Sequence, residues 1–210
     1  MFKMRDPTVP GEFIGELAQG VGATLTVNSG TRAMNKFFGN LPANYGVPIE
    51  PSSAHATLLY ADETAIEIQS ERDLIALQKA GQAIHRHLAS LPLQEMVLHP
   101  DGDELEKYGR YLAIPLRATP FMQMLRGKLV DIARDELGVK VDPEVDFHMS
   151  VVRPRRARVK TTDNLPPFPA QLHVNGFDVQ RRVMTKDQKR SSQKPKYKNT
   201  QQRPNLRSVG

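Results

Sequence analysis

The chain has 210 residues, 39% of them hydrophobic, with no cysteine, no tryptophan and a formal charge of +6. That size fits one domain with a core of Leu, Val, Ile, Ala and Met, and the lack of cysteine excludes disulfides, thiolate metal sites and a cysteine nucleophile. The charge is localised: residues 181–210 hold ten Lys/Arg against one acid, or +9, leaving 19 basic and 22 acidic groups, or −3, in the first 180.

In chain order, Gly22–Val27 alternates as a strand does, and 31–39 has the pattern of a short helix. A loop rich in Pro and Gly follows, through Pro42, Gly46, Pro48 and Pro51. His55–Tyr60 is a short apolar strand, and Ala65–Gln69 another. The spacing of Leu74, Leu77, Gly81, Ile84 and Leu88 predicts a helix over 71–90, with Ser70 as N-cap. Glu95–Leu98 and Tyr108–Leu116 read as strands joined by Pro100-Asp-Gly-Asp103. Thr119 and Pro120 open a second long helix that Gly138 stops. Phe147–Val152 is a strand, and Leu172–Val179 one more. The order strand, helix, His-bearing strand thus occurs twice, which predicts a duplicated domain over 1–180 with lobes at about 20–100 and 101–180. Beyond 180 almost nothing is apolar. Residues 181–210 are therefore expected to be a basic, disordered tail, because they bury too little surface to offset ordering.

Two short motifs carry chemistry: His55-Ala-Thr57 and His148-Met-Ser150, each followed by two aliphatic residues. On a strand, residues i and i+2 share a face, so each motif presents an imidazole beside a hydroxyl. Two such strands facing one point suit displacement at phosphorus. One imidazole takes a proton from the attacking oxygen, the other gives one to the leaving oxygen, and the hydroxyls bond the non-bridging oxygens. No metal or other cofactor is required. Composition alone gives roughly 0.6 His-x-Ser/Thr matches by chance, so it is the paired context that carries the signal.

The pair resembles the 2H phosphoesterase superfamily over roughly residues 20–180. That family includes bacterial RNA 2′,3′-cyclic phosphodiesterases, cyclic nucleotide phosphodiesterases and phage enzymes that destroy cyclic oligonucleotide signals. The resemblance implies an α+β, bilobed, pseudo-two-fold fold whose antiparallel sheets line a central cleft with helices outside. It implies His55 and His148 as the acid–base pair, in an order it leaves open, and Thr57 and Ser150 as phosphate ligands. It also implies Arg153, five residues past the second His, as a third phosphate ligand. Strict alternation turns Arg153 away from His148, so it needs a bulge or a strand end to reach the cleft. The first motif continues into Tyr60-Ala61-Asp62, where the bacterial RNA branch has an aromatic-Leu-Gly stretch; this continuation is closer to phage members.

The expected activity is metal-independent hydrolysis of 2′,3′-cyclic phosphate ends of RNA or small nucleotides. One alternative is phage-type degradation of cyclic oligonucleotides or 2′-5′ oligoadenylates, and another is a non-catalytic RNA-binding module. The partner is RNA or a small nucleotide, with no metal and no membrane, and the oligomeric state is open. Tyr60, Tyr108, Tyr111, Phe121 and Phe147 can stack on a base, although core packing is the commoner use of such residues; of these Tyr60 and Phe147 are the expected substrate contacts. Arg155 belongs to a basic cluster, Arg153 to Lys160, that is either a solvated loop or an attractor for a polyanion. His85 and His87 are two apart on a helix and share no ligand face. No stretch is long and apolar enough for a membrane span or a signal core, so a soluble protein of the cytoplasm is expected, the host's if phage-encoded.

Overall fold

The computed structural model describes residues 17–108, 110–141, 146–154 and 165–185. Nine strands and three α-helices are present among them. The strands are β1 (Leu17–Val27), β2 (Val47–Pro48), β3 (His55–Leu59), β4 (Ile66–Glu67), β5 (Val97–Leu98), β6 (Glu106–Tyr108), β7 (Tyr111–Pro115), β8 (His148–Arg153) and β9 (Leu172–Thr185). The helices are α1 (Arg32–Gly39), α2 (Glu71–Ala89) and α3 (Pro120–Leu137).

The helices begin and end where local chemistry puts them. The Thr31 hydroxyl accepts from the Met34 amide at the start of α1, and Thr119 accepts from Met122 at the start of α3. At α2 the Asp73 carboxylate reaches back to the amides of Gln69 and Ser70. Gly138 ends α3 at φ 65°, in the left-handed region that favours glycine.

The strands form one antiparallel sheet in the order β5-β9-β1-β3-β8-β7-β6, with β2 beside β8 and β4 beside β1. The twofold order read in the sequence is realised as β1-α1-β3 and β7-α3-β8. Each His-bearing strand lies beside the first strand of its own half, and the two meet in the centre of the sheet. The lobes are not consecutive stretches of chain, because β9 crosses back to lie between β1 and β5. It pairs with β1 from Val174 through Thr185, five residues past the expected end of the domain at 180. Backbone pairing keeps Arg181 and Arg182 in a strand that their composition argues against. Residues 186–210 lie outside the described residues.

Two further expectations are corrected. The strand read over 108–116 is a hairpin, β6 and β7, with Tyr108 opposite Tyr111. Only Val97–Leu98 of 95–98 is a strand, since Leu93–Glu95 forms a 3-10 turn. Helices α2 and α3 lie side by side, α2 over β1 and β9 and α3 over β3. Beneath them Leu25, Ala56, Leu58, Met149 and Val151 are fully buried in one continuous core. No helix among the described residues is long and apolar enough to cross a membrane.

Candidate active site

The site begins with strand register. Ala56 pairs with Met149 across β3 and β8, and both are fully buried on the core face. Antiparallel counting from that pair sets His55 opposite Ser150 and Thr57 opposite His148. All four side chains therefore share the other face. Directly opposed Cβ atoms are about 5 Å apart and diagonal ones roughly 7 Å, so the imidazoles occupy one diagonal of a square and the hydroxyls the other.

Both rings are oriented in the same way. Nδ1 of His55 lies 2.7 Å from the carbonyl of Ser53, and Nδ1 of His148 lies 3.2 Å from the carbonyl of Asp146. A carbonyl only accepts, so each Nδ1 carries a proton and each Nε2 is the acceptor of the neutral ring. The same i−2 contact at both motifs is a local sign of the twofold.

A bulge follows each motif. Against β1, Ala23 pairs with Leu59 but Thr24 with Thr57, so β3 carries one extra residue. Against β7, Leu112 pairs with Val152 but Ala113 with Ser150, so β8 carries one extra residue at the same point. The aliphatic pairs Leu58-Leu59 and Val151-Val152 absorb these bulges and are fully buried. A bulge resets alternation, so the fifth residue after each His returns to the face of that His. In the first motif that residue is Tyr60, and its hydroxyl lies 3.1 Å from Nε2 of His148. In the second it is Arg153, exposed at the end of β8. The bulge that alternation demanded for Arg153 is thus present.

No protein-family model matches the chain, and no curated protein matches it in sequence. Solved structures do match. TT0787 of Thermus thermophilus aligns at TM-score 0.50 and 16% identity, over 79% of this chain and 94% of that one. LigT of E. coli complexed with 3′-AMP aligns at 0.47 and 15%, over 80% and 95%. The MHV ns2 PDE domain aligns at 0.45 and 16%, over 78% and 99%. The chain shares the fold of TT0787.

Within this fold, His148 is the more enclosed histidine, 8% exposed. The Tyr108 ring stacks on it with centroids 3.8 Å apart and planes 14° apart. Tyr60 is held in turn by the turn that follows β3. Its amide donates to Glu63, and the Glu63 carboxylate pairs with Arg126 of α3 at 3.3 Å. Thr64 is buried and ties this turn to β1, accepting from the Val21 amide at 2.7 Å and donating to the Val21 carbonyl at 2.8 Å. The turn needs Gly20 beneath it, since a Cβ there would stand 1.8 Å from the Ala61 oxygen. Burial pushes the Tyr60 phenol up to about 12, partly opposed by a hydrogen bond from Thr57. Burial, and then the hydrogen bond to Glu106, raise the Tyr108 phenol as well. Both phenols stay protonated donors at neutral pH.

The strand register brings together His55, Thr57, Tyr60, His148 and Ser150. It removes Phe147, expected as a substrate contact. That ring is 4% exposed in the core, with the Arg126 guanidinium 5.7 Å above it. Phe147 lies one residue from His148, so alternation turns it inward. Arg155 and the rest of its cluster to 160 lie outside the described residues. Sequence reasoning singled out Tyr108 only as one of five aromatics and passed over Glu63 and Arg126; the three sit on separate elements and form no local pattern. Among the described residues no group of three His, Cys, Asp or Glu is arranged to hold a metal ion.

Proposed function

We propose that this protein is a phosphodiesterase that hydrolyses 2′,3′-cyclic phosphate ends of RNA or small nucleotides by two-histidine acid–base catalysis without a metal. The observation that carries the proposal is the square on the sheet: two imidazoles on one diagonal, each held at Nδ1 by a backbone carbonyl so that Nε2 faces the site, and two hydroxyls on the other. A phosphate seated over it accepts hydrogen bonds from Thr57 and Ser150 as charge builds on its non-bridging oxygens. One Nε2 removes a proton from water as the new O–P bond forms. The other Nε2 protonates the ribose oxygen as the ring P–O bond breaks, leaving a phosphomonoester. Arg153, on the same face at the strand end, adds positive charge for the entering phosphate.

The test is turnover by the purified full chain in EDTA against 2′,3′-cyclic nucleotides, cyclic dinucleotides and 2′-5′ oligoadenylates. Hydrolysis of the first class that is lost in both His55→Ala and His148→Ala supports the proposal. Turnover confined to the other two classes replaces the substrate but keeps the chemistry. RNA binding that survives both substitutions, with no turnover of any class, replaces the enzyme by a binding module.

A further inference from the structure

The two halves of the site are not equivalent. At His55, among the described residues, the ring makes one hydrogen bond, from Nδ1 to Ser53. The ring of His148 is engaged at Nδ1 by the Asp146 carbonyl, at Nε2 by the Tyr60 hydroxyl and on its face by Tyr108. Because Asp146 fixes the proton on Nδ1, a neutral His148 meets Tyr60 with a bare Nε2, and the phenol must be the donor.

We propose that Tyr60 is a positioning residue that acts through His148: its hydroxyl holds Nε2 as a proton acceptor, which makes His148 the base and His55 the acid. This rests on the function proposed above. The hydroxyl bonds the single lone pair of the neutral Nε2, and the attacking water displaces it there. The water's proton then goes to Nε2 of His148, and the departing ribose oxygen takes the proton from Nε2 of His55.

The position of Tyr60 is built into the fold. The β3 bulge turns it to the site, Thr64 and Gly20 fix the turn that follows, and Glu63 grips its amide. Thr57, directly opposite His148, bonds the phenol oxygen, which points the phenol's own proton toward Nε2. Other charged and titratable groups surround the pair. Glu106 and Asp146 act on Tyr108 from β6 and from the residues before β8, while Asp62, Glu63 and Arg126 act on Tyr60. Tyr60→Phe leaves all of these in place and removes one hydroxyl.

The experiment has two arms. In the first, the imidazole resonances of the ligand-free protein are titrated by NMR in wild type and Tyr60→Phe. Losing a donor to the neutral ring moves the His148 midpoint up by about half to one pH unit and leaves His55 in place. In the second, kcat/KM is followed against pH. A base that titrates higher moves the acidic limb upward by the same amount and leaves the basic limb alone. An unchanged or lowered His148 midpoint overturns the proposal. A shift that appears in the basic limb overturns the base assignment. A protein that turns over no substrate of the panel overturns the proposed function and the base role with it, while the first arm still decides whether Tyr60 holds His148.

Discussion

The Tyr60 hydroxyl lies 3.1 Å from Nε2 of His148, although 88 residues separate them in the chain. This contact joins the residue that follows the first motif and its aliphatic pair to the first residue of the second motif. It exists because β3 bulges between Thr57 and Tyr60 and because β3 and β8 run side by side. The groups behind it give the site its measurable properties.

His55→Ala and His148→Ala are each expected to lower kcat by about 10²–10⁴-fold, the usual contribution of a positioned acid or base. Neither substitution should change the unfolding midpoint as His148→Asp would, because alanine leaves no buried charge behind. Parallel thermal melts check that the loss is chemical.

Ser150→Ala removes a hydroxyl opposite His55 and is expected to cost about 10-fold or more in kcat/KM. Thr57→Val should cost more, since Thr57 also bonds Tyr60. Steady-state kinetics with a 2′,3′-cyclic nucleotide compare the two. Equal losses would count against the link from Thr57 to Tyr60.

The Arg126–Glu63 pair is 4% and 15% exposed, so losing either partner leaves the other's charge poorly solvated. Glu63→Gln or Arg126→Met alone should destabilise the protein by about 3–5 kcal/mol in urea titrations. The double substitution should recover part of that loss, because it leaves neither charge buried without its partner.

Gly20→Ala is expected to destabilise the fold and reduce activity together, because its Cβ would drive the Ala61 carbonyl off β1. Gly102→Ala meets nothing within 4 Å, so its cost is confined to the backbone strain of φ 97°. Comparing unfolding midpoints and turnover in the two variants separates crowding under the Tyr60 turn from backbone strain.

Asp73 has a lowered pKa, first because the Gln69 amide donates to it and then through Ser70. The stability this adds is fully present above the carboxyl's unfolded value and is lost as pH falls through the folded one. Asp73→Asn should therefore lower the thermal midpoint at pH 7 and have less effect in strong acid. Melts across that range give the test.

The sequence alone determined the helix ends, the doubled strand-helix-strand order and the two His-x-hydroxyl motifs. These depend on short-range chemistry: a Thr or Ser cap, a Gly stop, a two-residue period. It also showed that Arg153 needs a bulge to face the site, because alternation is a local rule. The tertiary structure decided the rest. Register between strands far apart in the chain set the four side chains into one square. A bulge visible only in cross-strand pairing turned Tyr60 to the site, while alternation buried Phe147. Partners from β6, the turn after β3 and α3 gathered around His148 without a shared pattern, since long-range pairing leaves no period in the chain. Strand β9 likewise reached Thr185 because β1 offered it a backbone partner, whatever its side chains preferred.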